Sequence, residues 1–292
     1  MSDNIHKLFK KSDLIEYIKK LGVKEKDVLH LKVSLKAIGP ILGGAKTLLD
    51  AFKEVIGPNG TIVVSSFVES YPLPLSEENS KKISAQNSPS CTGVFNDIFL
   101  EQPNVVRSNH PTQRFAAIGP LAQELVGDHN AASRAYLVHE KLCTKGAINI
   151  SIGKNIMRSG TCHIATEITG LIKKPSKKGV NYLDTNGQLQ LYRADYNGGC
   201  AKGFDKFVPL YEAENACHFG KIGNAVVLVS DMNHTLSIEL ETLRETPSFF
   251  FCDDPTCKDC RLNWEHSNGN YLIVKLFSLF KILKNKCSVF YD

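Results

Sequence analysis

The chain has 292 residues, 42% apolar and 22% charged, with 35 basic against 30 acidic side chains and a net charge of +5. This is ordinary globular composition, enough for one large domain with a small appendix, and no apolar run approaches the roughly 18 residues that span a bilayer. The charge is modest and no basic run is interleaved with aromatics, which argues against nucleic acid and membrane and suits small phosphorylated ligands. The polar, basic segment 1–11 has no signal-peptide core, so a cytoplasmic protein is expected. The nine cysteines are then expected to be reduced, metal-bound or buried rather than paired.

In chain order, Leu14, Ile15, Ile18 and Leu21 fall at helical spacing, with Ser12 as a cap. Residues 27–33 read as a strand that breaks at Ser34, ahead of Gly39, Pro40, Gly43 and Gly44. Leu48, Leu49, Phe52 and Val55 mark an amphipathic helix, Gly57-Pro58-Asn59-Gly60 a turn, and 61–67 a β-branched strand. This βαβ-like unit predicts an α/β fold: a mixed central sheet flanked by helices, with a C-terminal Cys-rich appendix. The glycine loop presents backbone N–H groups to an anion or carbonyl, although a plain βα connection would look the same.

Residues 70–90 form a polar, aperiodic stretch of the kind that carries function. A short helix over 93–100 follows, then Arg107, Ser108, His110 and Arg114 just before an apolar strand over 115–118. Arginine suits bidentate phosphate contact; solvated surface charge is the plain alternative. Residues 120–126 read as a helix, 129–142 as a loop with a short helix, and 147–152 as a buried strand.

The segment Ser159-Gly160-Thr161-Cys162-His163-Ile164-Ala165-Thr166-Glu167 opens the next helix, with Ser159 or Thr161 available as its cap. His163 and Glu167 then share a helix face, and a carboxylate beside an imidazole fixes its tautomer and supports it as a general base. A capped helix with a polar edge is the simpler reading. Cys162 raises a covalent route, weakened because adjacent helical residues point about 100° apart.

Further on, 180–192 is strand-like around an Asn186-Gly187 turn, 221–229 is a turn and strand, and 271–283 a buried strand or helix. Cys252, Cys257 and Cys260 give C-x4-C-x2-C, with Cys200 as a fourth ligand and Cys217, His218 and His266 as alternatives. Structural zinc needs four such ligands; an iron–sulfur cluster and unligated thiols are the competing readings.

Three blocks resemble the aminoglycoside 3-N-acetyltransferase family: 31–39 with Gly43-Gly44, 57–67, and 107–111 through 115–119. Their order and spacing are similar to the family's from about residue 12 to about residue 230. The resemblance implies acetyl transfer from acetyl-CoA to an amine of an amino sugar. It implies that Val33, Ser34, Leu35, Lys36, Gly39, Ser65 and Ser66 line the pantetheine and thiol channel. Arg107 and Ser108 would meet the cofactor, with His110 nearby as a second catalytic candidate. The helix opened by Thr161 would carry the base, His163 with Glu167. The family pattern there reads Thr-x-x-His-x-x-Glu, and here Ile164 stands where anchoring on Thr161 and Glu167 puts the histidine.

The whole chain, 1–292, is expected to be one acetyltransferase domain, with acetyl-CoA held by about 12–170 and the acceptor side and cysteines in about 171–292. Oxyanion donors are expected among backbone N–H groups near Ser34 or Ser66. Aminoglycosides are polycations, and the basic balance points instead to a nucleotide-linked amino sugar used in surface polysaccharide synthesis. An aminoglycoside acceptor (resistance) is the alternative, and a non-catalytic metal-stabilised binding protein the alternative of another class. The oligomeric state is open, a homodimer included.

Overall fold

The computed structural model describes residues 8–153, 160–194, 199–265, 267, 269–270, 272–277 and 279. Helix α1 (Lys11–Lys20) buries Leu14 and Ile18, one turn apart. Its cap is not Ser12, which lies inside the helix; instead the Lys10 N–H donates to Asp13 Oδ2 at 2.9 Å. Strand β1 (Val28–Val33) leads through the short α2 (Leu35–Ile38) and the amphipathic α3 (Gly44–Ile56) to β2 (Thr61–Ser65). β1 and β2 pair in parallel from Val28↔Thr61 to Leu31↔Val64, so the expected βαβ unit is present.

The 70–90 stretch is not structureless. It holds β3 (Tyr71–Pro72), α4 (Glu77–Ser80) and β4 (Ile83–Ser84), elements too short to leave a period. After α5 (Val94–Leu100) come β5 (Val106–Arg107), β6 (Phe115–Ile118), α6 (Ala122–Val126), α7 (Leu137–Thr144), β7 (Ile148–Ile152) and α8 (Cys162–Ile168). The remainder is β8 (Lys178–Leu183), β9 (Leu189–Arg193), α9 (Ala201–Phe204), α10 (Val208–Ala213), β10 (Cys217–Ile222), β11 (Ala225–Asp231), α11 (Met232–Glu245) and α12 (Lys258–Leu262). β8 and β9 form a hairpin whose turn is fixed by Asp184 Oδ1, which accepts from the N–H groups of Asn186 and Gln188, each at 2.9 Å. α11 is hidden in the sequence because Thr235 and Glu239 interrupt its buried stripe of Met232, Leu236 and Leu243.

Seven strands form the main sheet in the order β10-β11-β7-β1-β2-β6-β5. The central three are parallel and the outer pairs antiparallel, the mixed sheet that the sequence predicts. β3, β4 and β9 pair with β8 in a second, small sheet. One core, under α1, α3 and α5, is built on Leu29, Leu31, Leu48, Phe52 and Phe99. The other, under α6, α7, α8 and α11, is built on Phe115, Leu142, Ile164, Phe207 and Trp264. Of the tail expected over 271–283, residues 272–277 are helical. No helix among the described residues is long and apolar enough to cross a membrane.

Candidate active site and cysteine cluster

The chain leaves β1 for β2 on one side and later adds β7 on the other, so β1 is where the strand order reverses. In open α/β sheets, ligands bind in the crevice outside the carboxyl ends of the strands at that point. A cavity of about 290 Å³ lies there. Leu31, Lys32 and Val33 at the end of β1, with Ser65 and Phe67 at the end of β2, form one wall. Tyr136, His139, Gly160, Cys162 and His163 form the other, and Thr92 and Asn96 also face it.

Gly160 turns the chain into α8 with φ of +88°. A Cβ there would sit 2.8 Å from His139 Cε1 and 3.0 Å from Lys32 Nζ, so only glycine permits this approach. Thr161 does not cap α8. Its hydroxyl donates to Glu239 Oε1 at 2.8 Å, an oxygen that also receives the Tyr211 hydroxyl, and α8 is thereby tied to α11. Ser159, the other proposed cap, lies outside the described residues. His163 is half-buried on the cavity wall. Its ring stacks on Tyr136 at 4.2 Å and 8°, and meets Phe204 edge-on at 5.2 Å. Glu167 lies 3.7 Å from the Arg134 guanidinium, which also pairs with Glu140.

Beneath this wall lies a run of buried imidazoles that sequence reasoning missed. His30 faces Asn149 across the β1–β7 register and donates through Nδ1 to Asn149 Oδ1 at 3.0 Å, leaving Nε2 to accept from the Ser65 hydroxyl at 3.3 Å. Hydroxyl, imidazole and amide are ordered as in a nucleophile triad. Burial, then the Lys32 charge, holds the His30 pKa down at about 3, which makes it a weak base. His139 donates through Nδ1 to the Gly160 carbonyl at 3.2 Å. Its Nε2 has no hydrogen-bond partner among the described residues, and burial pushes its pKa well below the usual range. The available signal was a polar residue in the middle of each of two apolar strands, His30 and Asn149.

Among residues expected to meet the cofactor, Val33 and Ser65 line the cavity; Ser34, Leu35, Lys36 and Gly39 lie just beyond it along the chain. The Ser34 N–H is committed to the Ile152 carbonyl at 3.0 Å and the Ser66 N–H to the Arg114 carbonyl at 2.8 Å. These two N–H groups are therefore engaged, and an oxyanion donor expected near Ser34 or Ser66 has to be a neighbouring N–H. Arg107 is buried and directed at its own backbone: Nη1 donates to the Gln86 and Ser88 carbonyls, Nη2 to the Ser66 carbonyl, and Nε to Ser66 Oγ. The Ser108 hydroxyl is buried between the Phe115 N–H and His129 Nδ1. His110 accepts the Thr112 and Gln113 N–H groups at Nδ1, so its proton sits on Nε2, facing the Tyr192 hydroxyl at 3.1 Å. Its lone pair is occupied and its pKa is lowered to about 3, first by burial, then by His129 and Arg114. His110 is therefore not equipped to be a base.

The four expected cysteines converge. The sulfur atoms of Cys200, Cys252, Cys257 and Cys260 all lie within 4.8 Å of one another, and none is in a disulfide. Of the alternatives, Cys217 lies in β10 outside this cluster, His218 Nε2 faces the Leu21 carbonyl at 3.1 Å, and His266 lies outside the described residues.

A profile of the aminoglycoside 3-N-acetyltransferase family matches residues 31–244. Aminoglycoside N(3)-acetyltransferase III of Acinetobacter baumannii is 28% identical over 195 residues, covering 60% of this chain and 67% of that one. The structure of AAC-VIa bound to sisomicin superposes with a TM-score of 0.71 at 25% identity, covering 82% of this chain and 98% of that one. AAC-IIIb in its binary complex with CoASH shares the fold, with a TM-score of 0.71 at 19% identity over 82% of this chain and 97% of that one.

Proposed function

Because this chain belongs to the aminoglycoside 3-N-acetyltransferase family, we propose that it is an acetyl-CoA-dependent N-acetyltransferase whose acceptor is an aminoglycoside amine. The observation that carries this reading is the cavity at the strand-order reversal with His163 on its wall. Its lining residues fall between Leu31 and His163, inside the 12–170 segment assigned to acetyl-CoA. Its volume suits the thioester end of the coenzyme. The ends of β1 and β2, at Val33 and Ser65, take the pantetheine arm and sulfur. The acceptor approaches from the side of Phe204, which belongs to the 171–292 segment.

An alkylammonium must lose a proton before its nitrogen can attack. That first proton goes to solvent, and His163 takes a second from the neutral amine as its nitrogen bonds to the thioester carbon. The tetrahedral oxyanion forms beside the Lys32 ammonium, on the wall that faces His163. As the C–S bond breaks, imidazolium returns the proton to the sulfur, and CoA leaves as the thiol. Glu167 acts from the same helix as a positioning carboxylate. The covalent alternative through Cys162 has less support, because adjacent helical residues point about 100° apart, which aims His163 away from its thiol.

The nucleotide-linked acceptor expected from charge has no support among the relatives' names, which are those of aminoglycoside acetyltransferases. It remains the second reading because of the +5 net charge and because Lys32 is on the cavity wall. Thiol release from acetyl-CoA, measured with sisomicin, gentamicin and a uridine-diphosphate-linked amino sugar, separates the two. Higher kcat/KM for the free aminoglycosides supports the first reading; preference for the nucleotide-linked sugar replaces it with the second. Turnover with none of these amines overturns both.

A further inference from the structure

The catalytic reading makes no use of the cysteines beyond residue 199. Four thiols from two separate segments meet there: Cys200 immediately before α9, Cys252 after Phe251, and Cys257 and Cys260 at the start of and within α12. Cys257 is the residue preceding α12, so Cys260 lies about one turn on, on the same side. Cys252 and Cys260 are buried, Cys200 and Cys257 half-buried. The Cys252 backbone N–H points at Cys260 Sγ at 3.3 Å, the contact that stabilises a ligating thiolate from outside the coordination shell. Cationic groups bind the adjacent backbone: Arg261 Nη2 donates to the Cys252 carbonyl at 2.5 Å and Lys206 Nζ to the Phe251 carbonyl at 3.1 Å.

We propose that Cys200, Cys252, Cys257 and Cys260 bind one zinc ion as four thiolates, and that this ion staples α9, with Phe204, against the cavity. A tetrahedral site with Zn–S of about 2.3 Å places its sulfurs about 3.8 Å apart. Four sulfurs all within 4.8 Å need only a slight contraction to reach that geometry. An iron–sulfur cluster spreads its ligands over several metal atoms, and four sulfurs this close enclose a single ion instead. A closed tetrahedron of four protein ligands leaves no open position, so the site is structural.

The staple follows from the connections of Cys200. Its carbonyl accepts the N–H groups of Gly203 and Phe204, each at 3.0 Å. A Cβ at Gly203 would lie 1.9 Å from the Phe250 carbonyl oxygen, so α9 rests directly on the strand of chain that carries Cys252. Phe204 stacks on Phe250 and presents its ring to the edge of His163. Fixing Cys200 therefore fixes the aromatic wall beside His163. The effect on turnover rests on the function proposed above; the metal itself does not.

The test is elemental analysis of the purified full-length chain, with zinc release followed as a mercurial reagent titrates the thiols. Near one zinc per chain is expected, falling to a trace in Cys257→Ser and Cys260→Ala and unchanged in Cys217→Ser. Full zinc retention in Cys260→Ala overturns the proposal. So does iron with inorganic sulfide in place of zinc, or a folded, metal-free wild type. Should the variants fail to fold, cobalt exchanged into the wild-type chain carries the test. Tetrahedral bands with strong thiolate charge transfer are expected, and an octahedral spectrum overturns the assignment. Hydrogen exchange tests the staple without reference to activity: removing the zinc should speed exchange at 200–207 and leave β1 and β2 protected. Unchanged exchange at 200–207 refutes the staple.

Discussion

Two polar regions of this chain look alike in sequence and differ in the fold. One is the cavity wall, with Lys32, Ser65 and His163; the other is the Arg107–Arg114 stretch between β5 and β6. Both are rich in basic and hydroxyl side chains beside apolar strands. In the second region the groups are committed to each other. Arg107 reaches three backbone carbonyls, Arg114 bonds to Ser84, Gln86, Ser108 and Asn109, and His110 accepts two backbone N–H groups. In the first region the side chains line a cavity, although the Ser65 hydroxyl also meets His30 and His163 stacks on Tyr136. What separates a candidate site from a polar brace is whether its side chains border space that a ligand can enter.

Acid stability tests the buried imidazoles of both regions most strongly. His30 and His110 are held at about 3 and His129 at about 4, while His139 is also pushed well down, in each case chiefly by burial. Their unfolded pKa is about 6.5, so below that pH the unfolded chain takes up protons that the folded chain does not. Stability should be flat above pH 6.5 and fall as pH drops toward about 4, by up to about 1.4 kcal/mol per pH unit for each such imidazole. Urea unfolding at a series of pH values measures this. A curve flat down to pH 4 would show that these imidazoles are not held neutral.

A smaller effect is expected at Arg107. Arg107→Met should cost about 3 kcal/mol, because the carbonyls of Ser66, Gln86 and Ser88 lose a charged donor in a buried place. Thermal unfolding should report that loss, with the KM for acetyl-CoA little changed. An unchanged melting temperature with a KM raised by about tenfold would return Arg107 to the cofactor site and erase the contrast between the two regions.

The fold was legible where local pattern and tertiary role agree. The β-branched 61–67 run, the amphipathic 45–55 helix and the Asn186-Gly187 turn all appear as elements near the expected positions. The cysteine cluster was legible because three of its four cysteines come from one short segment. His163 was legible from its helix, but its neighbours Tyr136 and His139 were not. Tyr136 immediately precedes α7 and His139 lies in it, within a stretch read as mostly loop, and both reach the cavity through the packing of α7 against α8. The role of Arg107 was hidden for a related reason: a guanidinium bound to phosphate and one bound to carbonyls require the same residue in the same pattern.

The central claim is that His163 is the base at this cavity, and steady-state kinetics of His163→Ala beside His110→Ala tests it most directly. With acetyl-CoA and sisomicin, His163→Ala should lose about 10²–10⁴-fold in kcat while keeping its fold and its KM for acetyl-CoA. His110→Ala, normalised to the fraction folded, should keep kcat. Full turnover by His163→Ala, or loss of kcat confined to His110→Ala, would contradict the account.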